Sequence, residues 1–207
     1  MEFWHDLITE TSFTLLRELR AEHQFTLIGG WAVFLYTRAL KSKDIDIIVD
    51  YEELGNLKRK YEMAKNERLK KYEIRQDGID VDIYVPHFSD LGLPAEAVLK
   101  ETVPMEGFQI PRPETLLILK QKAFQERSAS PKGEKDKIDI FSLLEKTDIA
   151  WGRYKTLTNR HHLKDFPKNL RDMLNQTHSV KELGLHPHKL ARLKKPLLKQ
   201  LDLCLNA

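Results

Sequence analysis

The chain carries aspartates at alternate positions twice, in Asp44-Ile45-Asp46-Ile47 and in Ile79-Asp80-Val81-Asp82-Ile83-Tyr84-Val85. On a β-strand, residues i and i+2 share a face, about 6.6 Å apart at ~3.3 Å per residue. Each pair can therefore aim two hard oxygen donors at one place. Such donors suit Mg²⁺, with Mn²⁺ as an alternative, and Mg²⁺ is normally shared with substrate phosphates. Holding two ions ~3.5–4 Å apart for in-line displacement takes a third carboxylate besides Asp44 and Asp46. Asp82 is preferred for that place because it sits mid-strand between hydrophobic neighbours. Asp80, closer to the preceding turn, is the alternative. Thirteen residues separate Asp44 from the end of the run Leu27-Ile28-Gly29-Gly30. An apolar strand entering a helix through two glycines lets backbone approach a ligand closely and offers free N–H groups, a phosphate cradle. Ser42, two residues before Asp44, adds a hydroxyl within reach of a triphosphate, although most loop serines have no such role.

A second cluster lies further along. Lys120 shares a helical face with Leu116, Ala123, Phe124 and Arg127, and Asp136 and Asp139 share one with Ile140, Leu143 and Leu144. Charges set among apolar residues on two successive helices are costly to bury unpaired, so they are expected to pair with each other or with a ligand. Asp136 and Asp139 are expected to orient Lys120 or Arg127 rather than to bind metal.

Gly29-Gly30, Asp44-x-Asp46 and the Asp82 strand together resemble the signature of the DNA polymerase β-like nucleotidyltransferase superfamily. The block Lys120-x-x-Ala123-x-x-x-Arg127, then Lys135-Asp136-Lys137-Ile138-Asp139, is similar to the helical block of its abortive-infection, type IV toxin-like branch. The two blocks span residues 25 to 145; residues 146 to 207 match nothing by motif. The resemblance implies an α+β fold, with a nucleotidyltransferase-type mixed β-sheet packed on helices and a C-terminal helical region. It implies transfer of a nucleoside monophosphate from an NTP, such as ATP, to an acceptor hydroxyl with release of pyrophosphate. Asp44 and Asp46 would hold two Mg²⁺ ions and Asp82 one of them; Asp82 could also take the acceptor proton. Gly29, Gly30, Ser42, Lys120 and Arg127 would bind the nucleotide, with Lys120 facing the phosphates as charge shifts. The branch implies an RNA acceptor, such as a tRNA 3′ end, and a companion antitoxin. Small-molecule or protein acceptors, a non-catalytic nucleotide-binding regulator, and a nuclease or phosphatase built on the same acids are the competing readings. No residue reads the base of the NTP, and no pattern sets an oligomeric state.

The elements that must position these groups follow from periodicity and turn chemistry. Residues 1 to 20 read as a helix through Phe3, Leu7, Phe13, Leu16 and Leu19, and Phe25 to Ile28 as a strand. Trp31 to Leu40 is helical, Asp44 to Asp50 alternates as a strand, and Glu52 to Lys65 is a charged helix. Tyr72 to Arg75 and Ile79 to Val85 form a hairpin through Gln76-Asp77-Gly78, because Asp-Gly accepts positive φ readily. Val98 to Val103 and Phe108 to Ile110 are candidate strands, and Pro111-Arg112-Pro113 marks a boundary. Beyond it the chain reads as helix: Glu114 to Arg127, a small, polar, mobile link over Ser128 to Gly133, Asp136 to Lys146, and a last stripe of Leu190, Leu193, Leu197, Leu201 and Cys204 that Pro196 should kink. The expected division is a catalytic part at 1–112 and a helical part at 113–207 that completes the active site and contacts the acceptor.

Composition narrows the field less than the motifs do. The chain has 207 residues, 34 Lys and Arg against 31 Asp and Glu, and one cysteine, Cys204. A single cysteine excludes an intrachain disulfide and every multi-cysteine zinc module. The longest apolar-leaning run, Leu27 to Tyr36, falls short of the ~20 residues a bilayer needs, and Glu2, Asp6 and Glu10 stand where a secretion signal would be basic and apolar. A cytoplasmic protein with no membrane partner is expected. His161-His162 and His186-Pro187-His188 lack acidic or cysteine partners at ligand spacing and read as surface histidines. His186 to Lys199 holds five basic residues and no acidic one, which suits either an RNA backbone or a solvated helix face.

Overall fold

The computed structural model describes residues 6–205; Phe3, placed above in the first helical stripe, lies outside them. The fold is α+β. Two compact units follow one another, Met1–Arg112 and Pro113–Ala207.

The first unit is organised around seven strands in the order β3-β4-β5-β2-β1-β7-β6. Helix α1 (Asp6–Glu22) precedes β1 (Thr26–Ile28), which runs into α2 (Gly29–Thr37). Strand β2 (Ile45–Ile48) pairs antiparallel with β1, and α3 (Tyr51–Lys60) follows it. Strands β3 (Met63–Asn66), β4 (Lys71–Gln76) and β5 (Ile79–Tyr84) form an antiparallel meander, and β5 lies parallel to β2. The short helix α4 (Ala95–Leu99) leads to the hairpin β6 (Thr102–Met105) and β7 (Phe108–Pro111), and β7 runs parallel to β1. The sheet is mixed because two crossovers, β2 to β5 and β1 to β7, insert strands beside partners distant in sequence.

Alternation decides what each central strand buries. Ile79, Val81 and Ile83 are buried on β5, Ile45 and Ile47 on β2, and Tyr72 and Ile74 on β4. The opposite side of the same strands carries Asp46, Asp82 and Glu73. The core beneath is completed by Leu15, Leu16 and Leu19 of α1 and by Trp31, whose indole N–H donates to the Ser12 hydroxyl at 2.9 Å. That bond satisfies a polar atom which burial would otherwise leave unpaired.

Several local expectations are corrected. The strand at Asp44 to Asp50 is shorter, ending at Ile48, because Asp50 turns away to cap α3: its carboxylate accepts from the Glu53 N–H at 2.7 Å. The helix expected to Lys65 stops at Lys60, and Met63–Asn66 is instead an edge strand with little burial. A four-residue polar edge strand has almost no alternation to detect. Val98 and Leu99 are helical rather than extended, since Pro94 opens α4 and its carbonyl accepts from the Val98 N–H.

The second unit is helical: α5 (Pro113–Arg127), α6 (Pro131–Lys146), α7 (Trp151–Arg160), α8 (Phe166–Gln176), a 3-10 turn (Lys181–Leu183) and α9 (Pro187–Leu205). The second half of the expected link over Ser128 to Gly133 belongs to α6. The Ser130 hydroxyl accepts from the Gly133 N–H at 3.1 Å, and Pro131 takes the first turn, where its missing N–H is harmless. Gly133 fits closely here, since a Cβ would stand 2.7 Å from the Arg127 carbonyl carbon. Pro196 lies inside α9 without ending it, and Leu190, Leu197 and Leu201 remain buried on one side of it.

Candidate active site

The β1–α2 junction and the β2–β5 ladder bring the first group of residues together. In the β1–β2 register Ile28 faces Asp46, and in the β2–β5 register Asp46 faces Asp82. The three strand positions thus form a line whose next residue along β1 is Gly29. Gly29 has φ +66, and a Cβ there would lie 2.6 Å from Asp46 Cγ. Only glycine meets both conditions, because L side chains avoid left-handed φ and the space beside Gly29 holds the Asp46 carboxylate. Gly29 and Gly30 are the first two residues of α2, and Gly30 is buried. The glycine pair therefore starts the helix rather than forming a loop ahead of it. Asp44 stands just before β2, half-buried, and Ser42 is buried.

Among the described residues no three His, Cys, Asp or Glu side chains are gathered so as to hold a metal ion. The register sets Asp46 and Asp82 side by side, and Asp44 stands one residue before the start of β2. Asp80 also lies on β5, but it is half-buried and pairs with Arg75 across the hairpin at 3.7 Å.

The electrostatics of the pair are strained. Burial and the neighbouring Asp46 charge push the Asp82 carboxyl up to about 6, against the opposing pull of Lys71. Lys71 Nζ lies 2.6 Å from Asp82 Oδ2 and 2.9 Å from Glu73 Oε1. Burial alone would lower the Lys71 ammonium, but its two carboxylate partners outweigh that and raise it. Lys71 in turn holds Glu73 below the usual carboxylate range. Neither Lys71 nor Glu73 belongs to the motif, and both follow from the hairpin. A two-residue Asp77-Gly78 turn, with φ +52 and +75, pairs Gln76 with Ile79 and, three steps on, Glu73 with Asp82.

In the second unit, α5 and α6 hold the other expected residues. Lys120 Nζ donates to Asp136 Oδ1 at 3.1 Å and lies 2.7 Å from Asp139 Oδ2. Arg127 Nε donates to Asp136 Oδ2 at 2.7 Å and its Nη2 to Asp136 Oδ1 at 3.1 Å. Lys135 Nζ lies 3.1 Å from Asp139 Oδ2. Three cations and two carboxylates are interleaved, with Lys120, Lys135, Asp136 and Asp139 buried and Arg127 partly exposed. Burial opposes the charge on Asp136, but Lys120 and Arg127 outweigh it and hold the carboxyl below its ordinary value. Lys135 goes the other way: burial and the nearby Lys120 lower it despite Asp139. The contacts make Asp136 and Asp139 the groups that set the position of Lys120. His162, His186 and His188 are exposed.

No protein-family model matches the chain, and no curated protein matches it either. Among solved structures the chain is similar to an antigenic nucleotidyltransferase-like protein from Paracoccidioides brasiliensis, at 17% identity and TM-score 0.40 over 67% of this chain and 75% of that one. It is similar to JHP933 from Helicobacter pylori at 15% identity and TM-score 0.47, over 97% and 93% of the two chains. It is also similar to the Megavirus polyadenylate synthase at 13% identity and TM-score 0.44, over 78% of this chain and 38% of that one. Two of these three carry nucleotidyl-transfer names. Among the described residues no helix is long and apolar enough to cross a membrane.

Proposed function

We propose that the chain is a metal-dependent nucleotidyltransferase that moves a nucleoside monophosphate from an NTP to an acceptor hydroxyl and releases pyrophosphate. The observation that carries this reading is the placement of Asp46 and Asp82 opposite one another on β2 and β5, at the glycine that opens α2. Two carboxylates pressed together, one of them pushed toward protonation, form a pair rich in oxygen donors. The donor set fits Mg²⁺, which binds through one or two carboxylates and takes its remaining ligands from phosphate and water. Lys71, an ammonium already seated on Asp82, marks the place as one that takes a cation. Bound there, the metal would neutralise triphosphate charge and make the acceptor hydroxyl more acidic.

Within this reading Asp46 and Asp82 would hold one ion, and Asp44 with Asp46 the ion that arrives with the triphosphate. The start of α2 at Gly29 and Gly30 would steady phosphate oxygens through its N–H groups, with the Ser42 hydroxyl beside Asp44. Asp82, beside the acceptor in this reading, would take the proton of its hydroxyl. Lys120, held by Asp136 and Asp139, would serve as a fixed point charge for phosphate, with Arg127 as its more exposed neighbour.

RNA is the preferred acceptor, on the distribution of charge. Residues 113–207 hold 19 Lys and Arg against 11 Asp and Glu, a net +8, whereas residues 1–112 hold 15 against 20, a net −5. The near-neutral total conceals a strongly basic helical half. On α9, Arg192, Lys195 and Lys199 are exposed at helical spacing on one face, as phosphate contacts require.

The test incubates the protein with each α-labelled NTP, Mg²⁺ and total RNA, beside Asp46→Ala. Label should enter RNA, and only with the parent protein. Label in no RNA, protein or small-molecule fraction would sink the enzyme reading, and equal labelling by Asp46→Ala would sink the site.

A further inference from the structure

Glu73 on β4, Asp82 on β5 and Asp46 on β2 are paired in register. They form a single row of three carboxylates on neighbouring strands, one strand spacing of about 4.8 Å apart. Asp82 is the middle member. Lys71 also lies on β4, two residues before Glu73 and therefore on its face. Its ammonium bridges Glu73 and Asp82 at 2.9 and 2.6 Å, while only 11% of the side chain is exposed. Lys71 thus sits at the end of the row away from Asp46, in contact with its other two members.

We propose that Lys71 is the resident counter-cation of this row, seated on Asp82 until a divalent ion binds Asp46 and Asp82, so that metal loading is an exchange of one cation for another. The proposal rests on the metal-dependent reading above and adds to it the state of the site before loading. The geometry suits an exchange for two reasons. Lysine is a compact point charge on a flexible stem, able to release one carboxylate by rotating its last bonds. Glu73 gives the released ammonium a partner already within hydrogen-bond distance, so Lys71 can yield Asp82 without becoming a buried unpaired charge. Arginine could not do the same, since its planar fork would grip Asp82 through two parallel bonds.

The test measures divalent-ion binding to the whole protein without nucleotide, by Mn²⁺ electron paramagnetic resonance and Mg²⁺ calorimetry at one fixed pH. Lys71→Met keeps the apolar stem and removes the charge. It should lower the melting temperature of metal-free protein yet bind Mn²⁺ about tenfold more tightly, because a positive charge next to the ion is gone. Lys71→Arg should bind Mn²⁺ more weakly than the parent and serves as the folded comparison should Lys71→Met prove unstable. A Lys71→Met protein, folded by circular dichroism, that binds Mn²⁺ no better than the parent would overturn the exchange and make Lys71 a mere support for Asp82. So would a Lys71→Arg protein that binds as tightly as the parent. Should no form bind either ion, with or without NTP, the metal-dependent reading falls together with the exchange. Ion binding that survives Asp46→Ala unchanged would instead place the metal elsewhere.

Discussion

Replacing Asp82 by asparagine should stabilise the metal-free protein at neutral pH, an unusual outcome for a half-buried carboxylate engaged in an ion pair. The folded carboxyl sits at about 6 against an ordinary value of 3.8. A folded-state value above the unfolded one means that the native protein holds a proton the unfolded chain releases, so stability falls as pH rises through that interval. The penalty fades as pH falls below about 3.8, where the unfolded carboxyl is protonated as well, and is complete above about pH 7. A difference of roughly two units at ~1.36 kcal/mol each sets an upper limit near 3 kcal/mol. Asp82 is 19% exposed, and water near it reduces the effect, so about 1–3 kcal/mol is the expected gain. Asparagine keeps the shape and cannot ionise, and Lys71 retains Glu73 at 2.9 Å. Urea unfolding of parent and Asp82→Asn in EDTA, at about pH 3 and about pH 7.5, reads the difference directly. The two midpoints should coincide in acid and separate in favour of the variant at the higher pH. A variant less stable than the parent at pH 7.5 would show that the Lys71 pair outweighs burial and the Asp46 charge. An equal gain at both pH values would show that the effect is packing and not ionisation. Either result would refute the electrostatic account of the row.

Gly29→Ala should cost about 2–4 kcal/mol, combining a left-handed φ with a clash against the Asp46 carboxylate; adding Asp46→Ala should recover part of the loss in thermal unfolding, whereas no recovery would mean that φ alone matters. Asp136→Asn leaves Lys120 and the partly exposed Arg127 without their shared carboxylate and should destabilise the protein by roughly 3 kcal/mol, as for a broken buried pair; denaturant midpoints check this, and a change below the scatter would mean that Asp139 alone holds Lys120. Arg192→Gln, Lys195→Gln and Lys199→Gln together should reduce the slope of log binding constant against log salt by about 2 for single-stranded RNA, read by fluorescence anisotropy across a salt series; an unchanged slope would remove α9 from the acceptor surface.

The parts of the fold legible in the sequence were those with a strong local cause. Asp77-Gly78 marks its hairpin because two successive positive φ values suit few residue pairs, and the alternation of Ile79, Val81 and Ile83 announces β5. Met63–Asn66 gave no such sign, since an edge strand stabilised mainly by ladder bonds to β4 needs no apolar side. Asp50 misled for a different reason: it continues the Asp44-Asp46 alternation yet serves α3 as a cap. Within the candidate site, Asp46 and Asp82 could be named from spacing, but their adjacency depends on a parallel crossover that no local pattern encodes. Glu73 was within reach of sequence reasoning. The two-residue turn sets the hairpin register, and counting back from Gln76 opposite Ile79 arrives at Glu73 opposite Asp82. Lys71 needed the side-chain geometry.

The buried and the acidic sides of the central strands make separate demands on the sequence, and the separation bears on why the acids are there. Ile45, Ile47, Tyr72, Ile74, Val81 and Ile83 are buried whether or not the other side is charged, and the ladders need only backbone. The apolar side and the ladders therefore ask nothing of Asp46 or Asp82 beyond tolerance, whereas Glu73 is held by Lys71. In the metal-free state Asp82 opposes folding, because burial and Asp46 both disfavour its charge. A single lysine on β4 offsets this only in part. A solvated strand face would place threonine or a mix of charges at these positions without penalty, and Gly29 would not need to leave room for a carboxylate. Within the proposed metal-dependent reading, a cation bound at Asp46 and Asp82 would remove the penalty that burial and the Asp46 charge place on the Asp82 carboxylate.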